Sequence, residues 1–244
     1  MEGRLSIFGV PIDAVTLLEA TDRLCQMLQE EGQHHVLTPN PEMLLAARSN
    51  EIFCSVLQSS ALNVPDGYGL ILASLFLGNP LPERVAGIDL LTALCLRIEG
   101  PVFLLGAEEG VAARAGEALR LQNPSLIIAG THGGSPNPSE EEEILLKINA
   151  SGAKLLFVAF GSPRQDLWIA RNLTRMSGIR VAMGVGGSFD FLAGVRSRAP
   201  HWMRSVGFEW LWRLVQEPKR FRRILRAVFL FPLLVLLTEN RSHS

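Results

Sequence analysis

The chain has 244 residues, 48% of them hydrophobic and 19% charged, so it can bury a full core and does not belong to the intrinsically disordered class. Its net charge of −1 conceals two unlike parts, because residues 1–195 carry 13 basic and 21 acidic side chains whereas residues 196–244 carry 10 and 3. The three cysteines and five histidines lack metal-ligand spacing, which excludes the common zinc sites and indicates reduced thiols.

Short apolar runs alternate with amphipathic runs along the first part of the chain. The predicted strands are Leu5–Val10, His35–Thr38, Leu62–Val64, Val102–Leu105, Leu126–Ala129, Leu155–Ala159 and Val181–Val185. The predicted helices are Thr16–Glu30, Pro41–Arg48, Ile88–Ile98, Glu108–Gln122, Glu140–Asn149 and Gln165–Met176. Because the strands are continuously apolar and alternate with helices, we expect an α/β fold with a Rossmann-like, doubly wound, mostly parallel sheet.

Two of the predicted helices have recognisable starts. Thr16 and Glu19 have the spacing of a capping box. Ser139 precedes the acidic run Glu140–Glu143, which suits the positive end of a helix dipole. The acidic run is therefore predicted to be a helix start and a solvated face rather than a metal site.

Polar side chains end or follow several predicted strands, at the edge where parallel sheets bind ligands. They are Thr38, Asn40, Asp66, Gln165 and Asp190. Simpler interpretations stay open: Asp66 precedes a glycine in a common turn dipeptide, and Gln165 begins a helix. Asp190 lies between two phenylalanines and is either hydrogen-bonded within the protein or facing a ligand.

The segment 184–187 partly matches a dinucleotide-binding fingerprint, but it comes late and lacks the full GxGxxG spacing. An NAD(P)-dependent oxidoreductase is therefore an alternative that only the fold and these glycines favour. The chain also has no Walker A motif and no DxD motif of the metal-dependent sugar-nucleotide transferases.

The end of the chain is basic and then apolar. Residues 196–226 contain nine Arg or Lys side chains and two acidic ones, and the uncharged run 227–237 follows directly. This run has 11 residues, whereas a membrane-spanning helix needs about 20. We expect the tail to lie on a membrane surface without crossing it. The alternatives are a terminal helix packed on the core, or the basic tail of a non-catalytic nucleic-acid-binding protein, which the acidic body disfavours.

A series of short motifs, in order along nearly the whole chain, resembles the WecG/TagA/CpsF family of bacterial glycosyltransferases. The matching stretches are Thr38–Glu42, Pro65–Gly67, Arg84–Asp89, Gly161–Asp166, Gly186–Gly194, Arg198–Pro200, Glu209–Leu214 and Glu217–Arg220. Each motif is weak by itself, but the ordered set is highly specific.

The resemblance implies an inverting, metal-independent enzyme that needs no cofactor. Such enzymes transfer a sugar, often N-acetylmannosamine or its uronic acid, from a UDP-sugar to a polyprenyl-diphosphate-linked acceptor of the GlcNAc type. Their products are cell-surface polymers such as teichoic acid, common antigen and capsule. The resemblance also implies a peripheral position on the cytoplasmic face of the cell membrane and no nucleic-acid partner. It leaves open whether the protein forms a homo-oligomer.

The resemblance further assigns roles to individual residues. Asp66 matches the family's proposed catalytic base, and Thr38 and Asn40 match its sugar-site residues. Gln165 and Asp190 match positions that line the nucleotide-sugar pocket.

The charge distribution divides the chain into a predicted Rossmann-like catalytic domain, residues 1–195, and a basic, helical, membrane-associating C-terminal appendage, residues 196–244. In the family, arginines of the appendage are thought to fold over the active site. They match Arg213, Arg220 and Arg223 of this sequence.

Overall fold

A computed structural model of the chain describes residues 3–216, Pro218 and 221–242, without the side chains of Ser205, Arg213 and 239–242. The strands are β1 Arg4–Ile7, β2 Val10–Asp13, β3 His34–Leu37, β4 Leu62–Asn63, β5 Val102–Gly106, β6 Ile128–His132, β7 Leu155–Ala159 and β8 Val181–Gly184. The helices of the first part are α1 Leu17–Gln29, α2 Pro41–Ala47, α3 Glu51–Gln58, α4 Tyr68–Phe76, α5 Gly87–Arg97, α6 Val111–Gln122, α7 Pro138–Ser151, α8 Arg164–Asn172 and α9 Ser188–Leu192. The helices that follow are α10 His201–Ser205, α11 Glu209–Gln216, α12 Phe221–Leu225 and α13 Phe231–Ser242, with a π-helical turn at Arg226–Leu230.

The main sheet has six parallel strands in the order β4-β3-β8-β7-β5-β6. Helices cover both of its faces, so the predicted Rossmann-like, doubly wound parallel sheet is confirmed. Alternate residues of the strands serve opposite faces. Leu104, Phe157 and Met183 pack with α1, α5 and α6, whereas Leu105 and Val158 pack with α7 and α8.

The first predicted strand is wrong in detail. The stretch Leu5–Val10 is not one strand, because β1 and β2 form an antiparallel hairpin that lies outside the main sheet. The chain reverses at Phe8 and Gly9, which both have positive φ angles. Glycine adopts this conformation without steric cost, and the apolar pattern alone does not show the reversal.

Two other predictions differ from the structure by a few residues. The sixth strand begins at Ile128 rather than Leu126, because the Leu126 N–H closes a turn onto the Asn123 carbonyl. Helix α7 is capped by Asn137 and not by Ser139, since Pro138 occupies the first helical position. The capping box of Thr16 and Glu19 at α1 is confirmed in both of its hydrogen bonds.

The C-terminal helices pack partly on the body. The Phe231 ring is fully buried and meets the Phe8 ring edge-on at 5.7 Å, and Val235 and Ile224 are also buried. Other apolar side chains of the same helices are exposed, among them Phe229 and Leu233. A terminal helix packed on the core therefore accounts for one side of the tail only. Among the described helices, none has the length and apolar character to cross a membrane.

Candidate active site

The carboxyl ends of the parallel strands meet at one edge of the sheet, and backbone hydrogen bonds join the loops there. The Asp66 N–H donates to the Pro39 carbonyl at 2.8 Å, which connects the loops after β4 and β3. The Val85 N–H donates to the Pro65 carbonyl at 2.8 Å, which holds the start of α5 against the same loop. The two loops that carry Thr38, Asn40 and Asp66 are thus fixed to each other by the backbone.

Asp66 lies in the loop after β4, the strand at one end of the six-stranded order. Its side chain is 22% exposed, with Oδ1 3.4 Å from Arg84 Nη2. Its Oδ2 accepts a long hydrogen bond from the Gly87 N–H, also at 3.4 Å. These contacts orient a carboxylate that remains partly exposed, which suits a group that accepts a proton from a bound substrate.

Arg84 connects Asp66 with the C-terminal part of the chain. Its Nη2 donates to Glu209 Oε2 at 2.6 Å, and its guanidinium lies over the Tyr68 ring at 5.9 Å. Burial disfavours the charged form of Arg84, but the carboxylates of Asp66 and Glu209 outweigh that effect and raise its pKa above the usual value. Arg84 therefore stays cationic beside Asp66.

A cleft of about 230 Å³ opens beside Asp66. The polar residues that line it include Asn40, Asp66, Arg84 and Glu209. Its apolar lining residues include Leu72, Trp210, Ile224, Ala227, Val228 and Pro232. The body and the C-terminal helices therefore enclose this space together, with both charged and hydrocarbon side chains in its lining.

A second cleft, of about 360 Å³, shares Asn40 and Glu42 with the first. Ser162, Pro163, Arg223 and Arg226 are among the residues that line it. The Arg223 guanidinium pairs with the Glu42 carboxylate at 2.7 Å and is itself half exposed. Two guanidiniums at the rim of a cleft provide the donors that phosphate oxygens bind.

Asn40 lines both clefts, whereas Thr38 is not among the residues that line either of them. Both side chains have structural contacts. Asn40 caps α2, because its side-chain oxygen accepts from the Met43 N–H at 3.0 Å. Thr38 is buried at the end of β3, and its hydroxyl oxygen lies 3.3 Å from the position that a Cβ on Gly87 would take. Glycine at position 87 thus allows α5 to begin directly against Thr38.

Gln165 is buried and joins two loops of the carboxyl edge. Its Oε1 accepts from the Gly161 N–H at 3.1 Å and from the Gly186 N–H at 3.0 Å. These bonds connect the loop after β7 with the loop after β8. Gln165 is not among the residues that line either of the two clefts, so the structure shows it as a connector of these loops.

Asp166, which follows Gln165, is almost completely buried. The Ser162 hydroxyl donates to its Oδ2 at 2.7 Å. Burial raises the pKa of Asp166 to about 7. Its side chain and that of Gln165 fill the space where a Cβ on Gly184 would lie, so glycine at that position is required by packing inside the protein.

Of the three remaining predicted site residues, only Asp190 has a side chain in the described part of the structure. Asp190 lies in α9 with its Oδ2 3.4 Å from Arg196 Nε, and its carbonyl accepts the Val195 and Arg196 N–H groups. Arg213 lies in α11, but its side chain is outside the described part of the structure. Arg220 lies outside the described residues altogether.

Residues 5–244 match a family profile described as "Glycosyl transferase WecG/TagA/CpsF family". The chain belongs to the WecG/TagA/CpsF family. It is similar to a Staphylococcus aureus (strain MRSA252) protein named N-acetylglucosaminyldiphosphoundecaprenol N-acetyl-beta-D-mannosaminyltransferase, at 31% identity over 227 residues. The match covers 91% of this chain and 88% of the relative. Proteins of the same name from strains MW2 and NCTC 8325 have the same identity and coverage.

Membership of the WecG/TagA/CpsF family confirms the resemblance inferred from the motifs and makes the protein a glycosyltransferase. The structure also shows a contact that the sequence did not assign. Arg84 and Glu209 occur in two of the matched motifs, yet nothing in their spacing indicated that they form an ion pair. Only the fold brings together residues 125 positions apart.

Proposed function

We propose that this WecG/TagA/CpsF protein transfers N-acetylmannosamine, or a close relative of it, from a UDP-sugar to a polyprenyl-diphosphate-linked GlcNAc. The printed name of the Staphylococcus aureus relatives supports the sugar and the acceptor. The observation that carries the proposal is the partly exposed carboxylate of Asp66 in a cleft lined by both charged and apolar side chains. An acceptor with a sugar hydroxyl and a lipid chain needs both kinds of contact.

In the proposed reaction Asp66 acts as the general base. Its carboxylate takes the proton of the acceptor hydroxyl while that oxygen attacks the anomeric carbon of the donor sugar. The bond from the anomeric carbon to the UDP oxygen breaks, and UDP leaves with the bonding electrons. Attack on the face opposite the leaving group inverts the anomeric configuration.

The departing diphosphate gains negative charge, and we assign its stabilisation to arginines instead of a metal ion. Arg223 and Arg226 at the second cleft support this assignment. By resemblance Arg213 and Arg220 join them. Among the described residues, no group of three His, Cys, Asp or Glu side chains is placed to hold a metal ion.

The proposal keeps residues 1–195 as the catalytic domain and residues 196–244 as the appendage that completes the cleft. Glu209, Trp210 and Ile224 of the appendage line the same cleft as Asp66. The basic and apolar character of the appendage supports a peripheral position on the cytoplasmic face of the membrane, where a lipid-linked acceptor is found.

Two other functions have weaker support. An NAD(P)-dependent oxidoreductase would use the late glycines to approach a cofactor, but Gly184 is required for packing against Gln165 and Asp166. A nucleic-acid-binding protein is disfavoured because residues 1–195 carry 13 basic and 21 acidic side chains, so the body as a whole is acidic.

The direct test is a turnover screen of UDP-sugars with a synthetic polyprenyl-diphosphate-GlcNAc acceptor. We expect transfer from UDP-N-acetylmannosamine or a related donor, detected as release of UDP and a heavier lipid-linked product. Thermal shift with a UDP-sugar, NADPH or RNA separates the three functions, since the true ligand stabilises the folded protein. Stabilisation by NADPH or RNA alone would refute the proposal.

A further inference from the structure

Helix α4 has an unusual surface for a helix of the catalytic body. Its sequence, YGLILASLF, has no charged residue, and none occurs anywhere between Gly67 and Pro82. A helix that is apolar all round is normally buried in a core or in a membrane. In α4 only one side is buried, through Leu70 and Ala73.

The other side of α4 exposes three large apolar side chains. Leu72, Leu75 and Phe76 are 52%, 60% and 61% exposed. The polar Ser74 does not make this surface more polar, because its side chain is buried. Its hydroxyl donates to the Ile71 carbonyl and accepts from the Leu81 N–H. Single exposed leucines are common, but three on one short uncharged helix form a patch that marks a contact surface.

The patch continues onto the C-terminal helix. Helix α13 packs against α4, and the buried Phe231 ring lies 3.7 Å from the position that a Cβ on Gly69 would take. Leu72 and Pro232 line the same cleft. Beyond this junction the C-terminal helices expose Phe229, Leu233, Leu236 and Leu237.

We propose that α4 is a second membrane-binding element, which inserts Leu75 and Phe76 beside the exposed leucines of α13 into an anionic phospholipid bilayer. The charged side chains next to the patch indicate that its partner is an anionic membrane surface. Exposed Arg222 and Arg226 precede the apolar residues of the C-terminal helices, and apolar side chains next to cationic ones match the acyl and headgroup layers of such a surface.

This position gives the cleft a membrane-facing entrance. Tyr68 begins α4 two residues after Asp66, and Leu72 of the same helix lines the cleft that contains Asp66. A lipid-linked acceptor can therefore place its sugar near Asp66 while its hydrocarbon chain stays in the bilayer beside α4. This last step rests on the proposed function, whereas the membrane contact of α4 does not.

The experiment measures cosedimentation of the full chain with vesicles of phosphatidylglycerol and phosphatidylethanolamine, without any sugar substrate. The test variant is Leu75→Asp/Phe76→Asp. The matched controls are Leu121→Asp on α6 and Leu146→Asp on α7, whose side chains are 85% and 71% exposed on other parts of the body. Leu233→Asp on α13 shows how much vesicle binding falls when the membrane contact of the C-terminal helices is disrupted. The milder Leu75→Ser/Phe76→Ser replaces the aspartate pair if that variant does not fold, as judged by circular dichroism.

We expect the α4 variant to bind vesicles at least about tenfold more weakly than wild type, and the controls to bind as wild type does. Its turnover with a short, water-soluble acceptor should be unchanged. Vesicle binding equal to that of the controls would overturn the proposal. So would unchanged vesicle binding together with loss of a dimer in sedimentation velocity, because α4 would then contact a second copy of the chain. If wild type transfers no sugar to any acceptor but the vesicle results hold, the proposed function fails and the membrane contact stands.

Discussion

Asp66 is the single residue on which the proposed chemistry depends most. Asp66→Asn keeps the size of the side chain and removes its ability to accept a proton. We expect folded Asp66→Asn protein to turn over about 10²- to 10⁴-fold more slowly, the usual range for loss of a general base. The measurement is kcat at saturating donor and acceptor.

The control is Asp22→Asn, which removes an exposed carboxylate of α1 that pairs with Arg97. It should turn over as wild type does. Near-normal turnover of a folded Asp66→Asn variant would exclude Asp66 from the mechanism.

Asp166 provides a prediction about stability and pH. Because burial raises its folded-state pKa to about 7, the folded protein holds a proton between about pH 4 and 7 that the unfolded chain has released. The proton that the folded protein binds at Asp166 therefore stabilises it at low pH. This stabilisation is lost as the pH rises from about 4 to 7, which lowers the free energy of unfolding by at most about 4 kcal/mol. Asp166→Asn resembles the protonated acid, so it should raise the Tm at pH 8 more than at pH 5. An equal effect at both values would show that Asp166 titrates normally.

The sequence could predict the position of Asp66 at the carboxyl end of a strand, since a carboxylate in a glycine-flanked loop after an apolar run is visible in the sequence. Its catalytic role stays a prediction. The sequence could not predict the partners of Asp66. Arg84 and Glu209 meet across the fold, and the buried state of Asp166 depends on Ser162 and on the packing of Gly184. Tertiary contacts of this kind have no local signature.

At the level of elements, the appendage is expected to supply cationic groups to the reaction. Arg223 lines the cleft beside Asn40, and its neighbour Arg222 is also exposed on α12 but is not among the residues lining that cleft. We expect Arg223→Ala to reduce turnover with a short, water-soluble acceptor by about tenfold to a hundredfold, because a donor to phosphate charge is lost. Arg222→Ala is the matched control and should retain this activity.

Vesicle binding of the same two variants separates catalysis from anchoring. If both match wild type on the soluble acceptor and both bind vesicles more weakly, α12 serves only as a membrane anchor. The catalytic role assigned to Arg223 would then be refuted.

The elements themselves were predictable where the pattern was periodic or the start signal was strong. Strand β7 matches its predicted bounds, and α1 begins at its capping box. Helix α4 was missed because its residues are apolar on every side and show no helical period. The β1–β2 hairpin was missed because a single glycine turn divides one continuous apolar run.

At the scale of the whole molecule, the account requires transfer without a metal ion. The chain lacks a DxD motif, and guanidiniums line the second cleft. Turnover of purified protein should therefore survive EDTA within about twofold, since arginine charge is independent of chelation. Loss of turnover with EDTA, followed by rescue with Mn²⁺ or Mg²⁺, would show that the leaving group depends on a metal.

The whole-molecule fold was predictable because continuously apolar strands alternating with helices permit few arrangements other than a doubly wound parallel sheet. The way the appendage closes the cleft was not predictable. It depends on Phe231 packing against Phe8, a contact between opposite ends of the sequence. It also depends on the hydrogen bond from Arg84 to Glu209, which joins two distant motifs. Charge and hydropathy indicated a basic and apolar tail without showing where it docks.

The central claim is an inverting sugar transfer to a lipid-linked acceptor at Asp66. The most direct measurement is the anomeric configuration, by NMR, of the product that wild type forms from an α-linked UDP-N-acetylmannosamine and polyprenyl-diphosphate-GlcNAc. The account predicts a β-linked disaccharide, formed by wild type and almost absent with Asp66→Asn. An α-linked product, or equal product from both proteins, would contradict it.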